Sequence, residues 1–361
     1  MPTSPDVLAT ALQDLAPGYS ELFTQWHPLL EKIVKNGKLD RAVLKGPYRE
    51  FAVVTDGPGA VTQVLTGSEV ITGGRRQNAS KGNAYAPRLI YAFDVPGKDL
   101  AEANGENDLA RIIEHYPELA LSDFHERISQ QLVMGNGSGV GGFLTLNGDQ
   151  TYNPDGAARQ GTVQFESPTA QVASAQTIFG LSQGTVSGWT NQFRDITSFA
   201  ANGRSRMEDV YYTCSAQGAK TMGPVDLLIG DKDSYLNYIS DLDAQVRTMK
   251  VDGDKAPAQV RQGIPFLEAD FYMELDIDPS ATTVLTTTEA QDGVIYFLHS
   301  KSWNAFTLGH DSGMETKGDF DVRGPIRIPE QDLWRYEYVL HMGLYCDQLR
   351  VNGVVTGANT P

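Results

Sequence analysis

The pattern of apolar residues points to an α+β chain, and three stretches carry that expectation. From Asn107 to Met134 the residues Leu109, Ile112, Ile113, Tyr116, Ala120, Phe124, Ile128 and Leu132 recur at spacings of three and four, the stripe of one long helix. The run PVDLLIG at 224–230, followed by Asp231 or Asp233 as cap and by Tyr235, Tyr238, Ile239 and Leu242, reads as strand, turn and helix. From Trp334 to Leu344 side chains alternate with period two, Trp334, Tyr336, Tyr338, Leu340, Met342 and Leu344 against Arg335, Glu337, Val339 and His341, as along a strand with one buried face.

Taken in order, residues 7–34 carry a broken helical pattern, with Leu8, Leu12 and Leu15, then Leu22, Trp26, Leu29, Leu30 and Ile33, interrupted by Pro17 and Pro28. Short helices of this kind enclose little core of their own, so the stripe, with Trp26 as its largest member, needs a neighbour to lie against. Phe51, Val53 and Thr55 then alternate with Ala52 and Val54, DGPG at 56–59 turns the chain, and 61–71 resumes an extended pattern. Leu89, Tyr91, Phe93 and Val95 alternate on the far side, and GGRRQNASKGN at 73–83 holds Arg75, Arg76 and Lys81 with no acid. The expectation is a long hairpin with a basic tip, resting on another surface because an isolated hairpin is marginal in water.

Pro117 falls inside the long helical run and predicts a kink, and Gly135 ends the run. At 1.5 Å per residue the 107–134 stretch spans roughly 40 Å. Short strands cannot enclose a helix of that length on all sides, which leaves part of its stripe, Phe124 and Ile128 included, for another molecule to cover. Beyond it, 135–148 reads as a Gly-rich loop, 204–217 as a helix, 250–257 as a charged loop, and 263–276 and 293–308 as strand. Asn352-Gly353 reads as a tight hairpin turn before Val354 and Val355.

Composition narrows the function. The 361 residues suffice for two domains, and 29 Lys and Arg against 45 Asp and Glu give a net charge of −16, which excludes a protein whose whole surface grips nucleic acid. With Cys214 and Cys346 alone there is no disulfide framework and no paired-cysteine metal site. The first residues lack a signal-peptide pattern and no window reaches eighteen apolar residues, so neither export by that route nor a membrane span is expected.

The motifs that could carry chemistry each meet a plainer explanation. Gly137, Gly139 and Gly142 match GxGxxG, but they follow a helix where a dinucleotide site must follow a strand. Gly180 to Gly184 matches GxSxG, with Ser182 as a nucleophile and His299, His310 or His341 downstream as a base. The residues after Gly184, TVSGWTNQF, do not make the helix that a nucleophile elbow requires, so a serine hydrolase using Ser182 stands as the rival from a different class. The six histidines show no zinc-type pairing, and the Asp231-Lys232-Asp233 run lacks the Gly and Glu of a calcium loop. No metal and no cofactor is expected. Arg75, Arg76 and Lys81 are too few to hold nucleic acid tightly, and they suit a salt-bridging contact with the acidic body of a second copy.

The order of these elements resembles the major capsid proteins of tailed bacteriophages, the Hong Kong 97-like fold. The run IIEHYPELALSDFHERISQQLVMGNG with GGFLTLNG resembles that family's spine helix and the loop leaving it. PVDLLIGDKDSYLNYI and GIPFLEADF resemble parts of the axial domain, and YEYVLHMGLYCDQLRVNGVVTG resembles the strand returning to the peripheral domain. The resemblance implies an N-terminal arm over 1–46, an extended hairpin, the E-loop, over 47–97, and a peripheral domain with the spine helix over 98–195. An axial domain over 196–329 and a returning strand and hairpin over 330–361 complete it.

It further implies a structural protein and not an enzyme, found in the virion and assembled in the host cytoplasm. Copies would form hexamers and pentamers closing an icosahedral head around double-stranded DNA, with the DNA touched weakly and non-specifically. Portal, scaffolding and cementing proteins are the implied partners, and no membrane is involved. Trp26, Arg75, Arg76, Lys81, Phe124 and Ile128 are the expected contacts between subunits. Some family members join the hairpin to a neighbour by a Lys-Asn isopeptide bond, for which Lys81 and Asn352 are the candidate pair. The rival inside the same fold is an encapsulin-type shell around a cargo enzyme.

Overall fold

The computed structural model describes residues 28–42, 49–54, 79–84, 88–98, 123, 177–179, 181–182, 189, 191–196, 198–218, 222–241, 263–274, 293–308, 320–329 and 332–358. Of the long helical stretch only Asp123 is among them, helical and exposed, so the spine helix, its Pro117 kink and the loop after it lie outside the described residues. The described residues fall into two compact units.

Unit one opens with helix α1, Pro28–Lys35. Pro28 sits in the first turn, where a missing N–H costs nothing, so the residue expected to interrupt a helix begins one. Gly37, at φ +67°, ends it, with Lys38 N–H donating to the Ile33 carbonyl and Gly37 N–H to that of Val34, both at 2.9 Å. Leu29, Leu30 and Ile33 are buried, and α1 packs on strand β12, Trp303–Leu308, of the same chain. Strand β1, Leu39–Ala42, runs parallel to β12 in register Leu39 to Ala305. Residues 28–42 of the expected N-terminal arm therefore bury their stripe against their own chain, where the sequence pattern alone had suggested a neighbour.

The centre of unit one is β14, Leu333–Cys346, a continuous strand of 14 residues. It pairs antiparallel with β4, Arg88–Pro96, and with β13, Phe320–Arg327, and it also neighbours β12. The expected alternation holds in its first half: Tyr336 and Tyr338 are buried while Arg335 and Glu337 stay partly exposed. Farther along, Val339 and Tyr345 on one face and Leu340, Met342 and Leu344 on the other are all buried, which a period-two pattern cannot announce. Phe93 of β4 stacks on Tyr336 at 5.6 Å and on Tyr338 at 6.0 Å between ring centroids. On the opposite face Arg335 makes a two-pronged pair with Asp94, at 2.7 and 2.9 Å, and those hydrogen bonds hold the Asp94 carboxyl below its ordinary range. Strand β4 is thus part of the main sheet and not the far limb of the hairpin.

The limb that pairs with β2, Arg49–Val54, is β3, Ala79–Ala84. The two form a two-stranded sheet, and residues 55–78, the rest of the expected hairpin, lie outside the described ones. Thr177–Ile178 and Leu181–Ser182, β5 and β6, form a small antiparallel pair with Phe179 at φ 51° in the turn.

Unit two is built on a six-stranded sheet. Its strands are β7, Gln192–Asp195, β8, Leu227–Gly230, β9, Ile264–Phe266, β10, Ala269–Met273, β11, Ile295–Leu298, and β15, Gly353–Thr356. Their order is β7-β15-β11-β8-β10-β9, with the β8–β10 and β7–β15 pairs parallel. A turn of π-helix, Phe199–Gly203, leads into α2, Arg204–Gly218, and α3, Lys232–Asp241, follows β8. Met207, Val210 and Cys214 of α2 and Tyr238 of α3 form one apolar core with Leu228, Phe271, Ile295, Phe297 and Val355. Both expected helices are present, and Asp231 is the cap of α3: its carboxylate accepts from the Asp233 N–H at 3.1 Å, the Ser234 N–H at 3.3 Å and the Ser234 hydroxyl.

The end of the chain corrects one expectation. Asn352 has extended backbone, φ −109° and ψ 156°, and β15 joins the sheet of unit two between β7 and β11. There is no hairpin back onto β14. Gly353 is present for closeness and not for a turn, because a Cβ there would lie 2.5 Å from Val210 Cγ1 and 2.9 Å from Cys214 Sγ on α2.

Candidate assembly interface

Lys81, expected at a basic tip, lies on strand β3, where its ammonium donates to Glu50 Oε2 at 2.9 Å across the ladder. The Lys81 side chain is 80 % exposed, so the pair marks the solvent face and adds little stability. The other face holds Phe51, buried and edge-on to Phe179 at 5.6 Å, with the Asn83 N–H donating to the Phe179 carbonyl at 2.8 Å. At the root of β2 the Arg49 guanidinium ion-pairs with Asp40 and lies over the rings of Phe306 and Tyr345, 5.5 and 5.7 Å from their centroids. No sequence pattern singled out Arg49, because its partners lie on three other strands.

Trp26, Arg75, Arg76, Phe124 and Ile128 lie outside the described residues, so the expected contact surface is represented by Lys81 alone. Exposed large apolar side chains among the described residues are Ile90 and Ile326 in unit one and Tyr212, Leu236 and Leu267 in unit two. Leu267 is the most unusual of these: it is 47 % exposed in the β9–β10 turn with φ +54°, a conformation that leucine adopts only at a cost.

Asn352, the other half of the candidate cross-link, is fully buried. Its amide nitrogen donates to Ser302 Oγ at 2.9 Å and to the Gln348 carbonyl at 3.0 Å and approaches Cys346 Sγ at 3.4 Å. Its amide oxygen accepts from the His299 N–H at 2.9 Å. The amide ties two chain segments together inside unit two, and an isopeptide bond at that atom would require all these contacts to break. Beside it, Asp226 accepts from the Ser300 N–H at 2.8 Å and its hydroxyl at 2.6 Å. Cys214 and Cys346 are buried free thiols, and burial pushes both pKa values up, which keeps them protonated.

Ser182 stands on β6, paired with Thr177 across the short β5–β6 hairpin. A nucleophile elbow needs a helix directly after the serine, and residues 183–188, where that helix would have to stand, lie outside the described residues. Among the described residues no three His, Cys, Asp or Glu side chains converge as metal ligands. No described helix is long and apolar enough to cross a membrane.

No protein-family model and no curated protein sequence matches the chain. Solved structures do. A chain of the cyanophage A-1(L) capsid asymmetric unit superimposes with a TM-score of 0.56 at 11 % identity, over 91 % of this chain and 93 % of that one. A chain of the capsid of a native GTA particle gives 0.53 at 10 % identity, over 90 % of each chain. One from Mycobacterium phage Ogopogo gives 0.50 at 7 % identity, over 90 % and 91 %. The fold is therefore the expected α+β, Hong Kong 97-like fold of phage capsid subunits.

Proposed function

We propose that the chain is the major capsid protein of a tailed phage, a structural protein that self-assembles into hexamers and pentamers closing an icosahedral head around double-stranded DNA. The observation that carries this reading is the extent of the likeness: about nine-tenths of this chain and of the capsid chains it resembles align. The charge supports it, since a wall with net charge −16 holds packaged DNA weakly and lets it leave. Arg75, Arg76, Lys81, Trp26, Phe124 and Ile128 serve as contacts between copies in this reading. Portal, scaffolding and cementing proteins are further partners, and the particle assembles in the host cytoplasm.

The test is sedimentation of the full chain expressed alone and with the scaffolding protein from its own gene neighbourhood. Fast-sedimenting shells that shield DNA from nuclease when packaged are expected. A slow single-subunit species under every condition would contradict the proposal. Shells that carry a protein cargo and no DNA would favour the encapsulin-type alternative.

A further inference from the structure

We propose that His299 is an acid-sensitive latch that holds the 222–224 stretch of unit two in place, and that adding a proton to its ring opens the latch. The ring follows β11 and is 1 % exposed. Its Nε2 lies 3.3 Å from the Gly223 carbonyl, so Nε2–H donates there and Nδ1 is left with a lone pair. That Nδ1 is buried and has no hydrogen-bond partner among the described residues.

The main chain around the ring is pinned on both sides. The His299 N–H donates to Asn352 Oδ1 at 2.9 Å, and the His299 carbonyl accepts from the Ser302 N–H and hydroxyl, each at 2.8 Å. The backbone that carries the ring is therefore fixed in the polar cluster around Asn352, and packing leaves the ring out of contact with water. A proton arriving at Nδ1 makes a cation and a donor with nowhere to point.

The charges that act on the ring do not relieve this. Asp226 favours the cation, as do the Gly223 and Met222 carbonyls, but Asp226 already accepts from Ser300 with both oxygens, Gly223 from Nε2–H and Met222 from the Lys301 ammonium. Lys301 opposes it, and its ammonium donates to the Met222 carbonyl at 3.1 Å, on the same stretch that the ring holds. The last residue of α2, Gly218, and Val351 border the ring's surroundings without an ionisable side chain, the space for a Gly218 Cβ lying 3.5 Å from His299 Cδ2 and 3.7 Å from Val351 Cγ1.

The sign of the pH effect follows. Burial, the largest influence, lowers the ring's pKa from its ordinary 6.5. The unfolded chain takes up a proton near 6.5 and the folded chain refuses it, so stability is lost as pH falls below 6.5 and stops falling only where the folded ring titrates.

Two measurements on the full chain test the latch. Histidine hydrogen–deuterium exchange read by mass spectrometry should place the His299 transition below 6.5, with amide exchange at Met222 and Gly223 rising as the ring titrates. The variant His299→Gln keeps an N–H for the Gly223 carbonyl and cannot take the proton. Between about pH 7.5 and about pH 5.5 its melting temperature should fall less than about half as far as that of the wild type. A variant that loses as much stability in acid as the wild type would overturn the proposal, as would a His299 ring titrating at 6.5 or above. If His299→Gln does not fold, the ring titration of the unaltered chain decides alone.

Discussion

Asn352 is the side chain on which the polar interior of unit two converges, since its amide holds Ser302, Gln348 and the His299 N–H at once. Truncating it leaves several buried groups unpaired, so Asn352→Ala should cost about 2–4 kcal/mol in urea unfolding, whereas Lys81→Ala should change stability by less than about 1 kcal/mol. The same burial argues against Asn352 as a cross-linking residue: on a denaturing gel, assembled particles should run as single subunits. A ladder of covalent multimers abolished by both Lys81→Ala and Asn352→Ala would show that the amide escapes its cluster. Locally, Asn352-Gly353 is indistinguishable from a hairpin turn signal. The contacts that decide otherwise come from Val210, Cys214, His299 and Ser302, remote in sequence, which is why the pattern misled.

Among the elements, those with a strong local signal were legible. Helices α2 and α3, the Asp231 cap and the long strand β14 follow from periodicity and capping chemistry. Strand β13 was not, because Gly324 and Pro325 interrupt it; the ladder to β14 shifts register between Arg323 and Ile326, a bulge that tolerates a residue without an N–H. Nor was the break of the 293–308 run at the Ser300–Ser302 turn. Two substitutions probe this level. Gly353→Ala, which drives a methyl group into α2, should destabilise by about 1–3 kcal/mol. Leu267→Asn, which suits a positive φ, should keep or raise the melting temperature, while Leu267→Val should lower it.

For the molecule as a whole, the overall fold was legible in the order of elements, while the surface that would build a shell was less so. Helix α1 shows why: an apolar stripe in the sequence does not say whose surface covers it, and for Leu29, Leu30 and Ile33 the cover is the chain's own β12. The basic cluster offers a sharper probe. Reversing Arg75 and Arg76 to Glu should leave the circular dichroism of the subunit unchanged and abolish fast-sedimenting particles, if those charges meet the acidic body of a neighbouring copy.

Electron cryomicroscopy of particles formed by the purified chain bears most directly on the capsid proposal. The expected result is a closed icosahedral shell in which every fivefold and sixfold cluster is filled by this fold, with the β2–β3 hairpin reaching an adjacent subunit. A monodisperse population of single subunits, under conditions where the chain is folded and its scaffold is present, would contradict it.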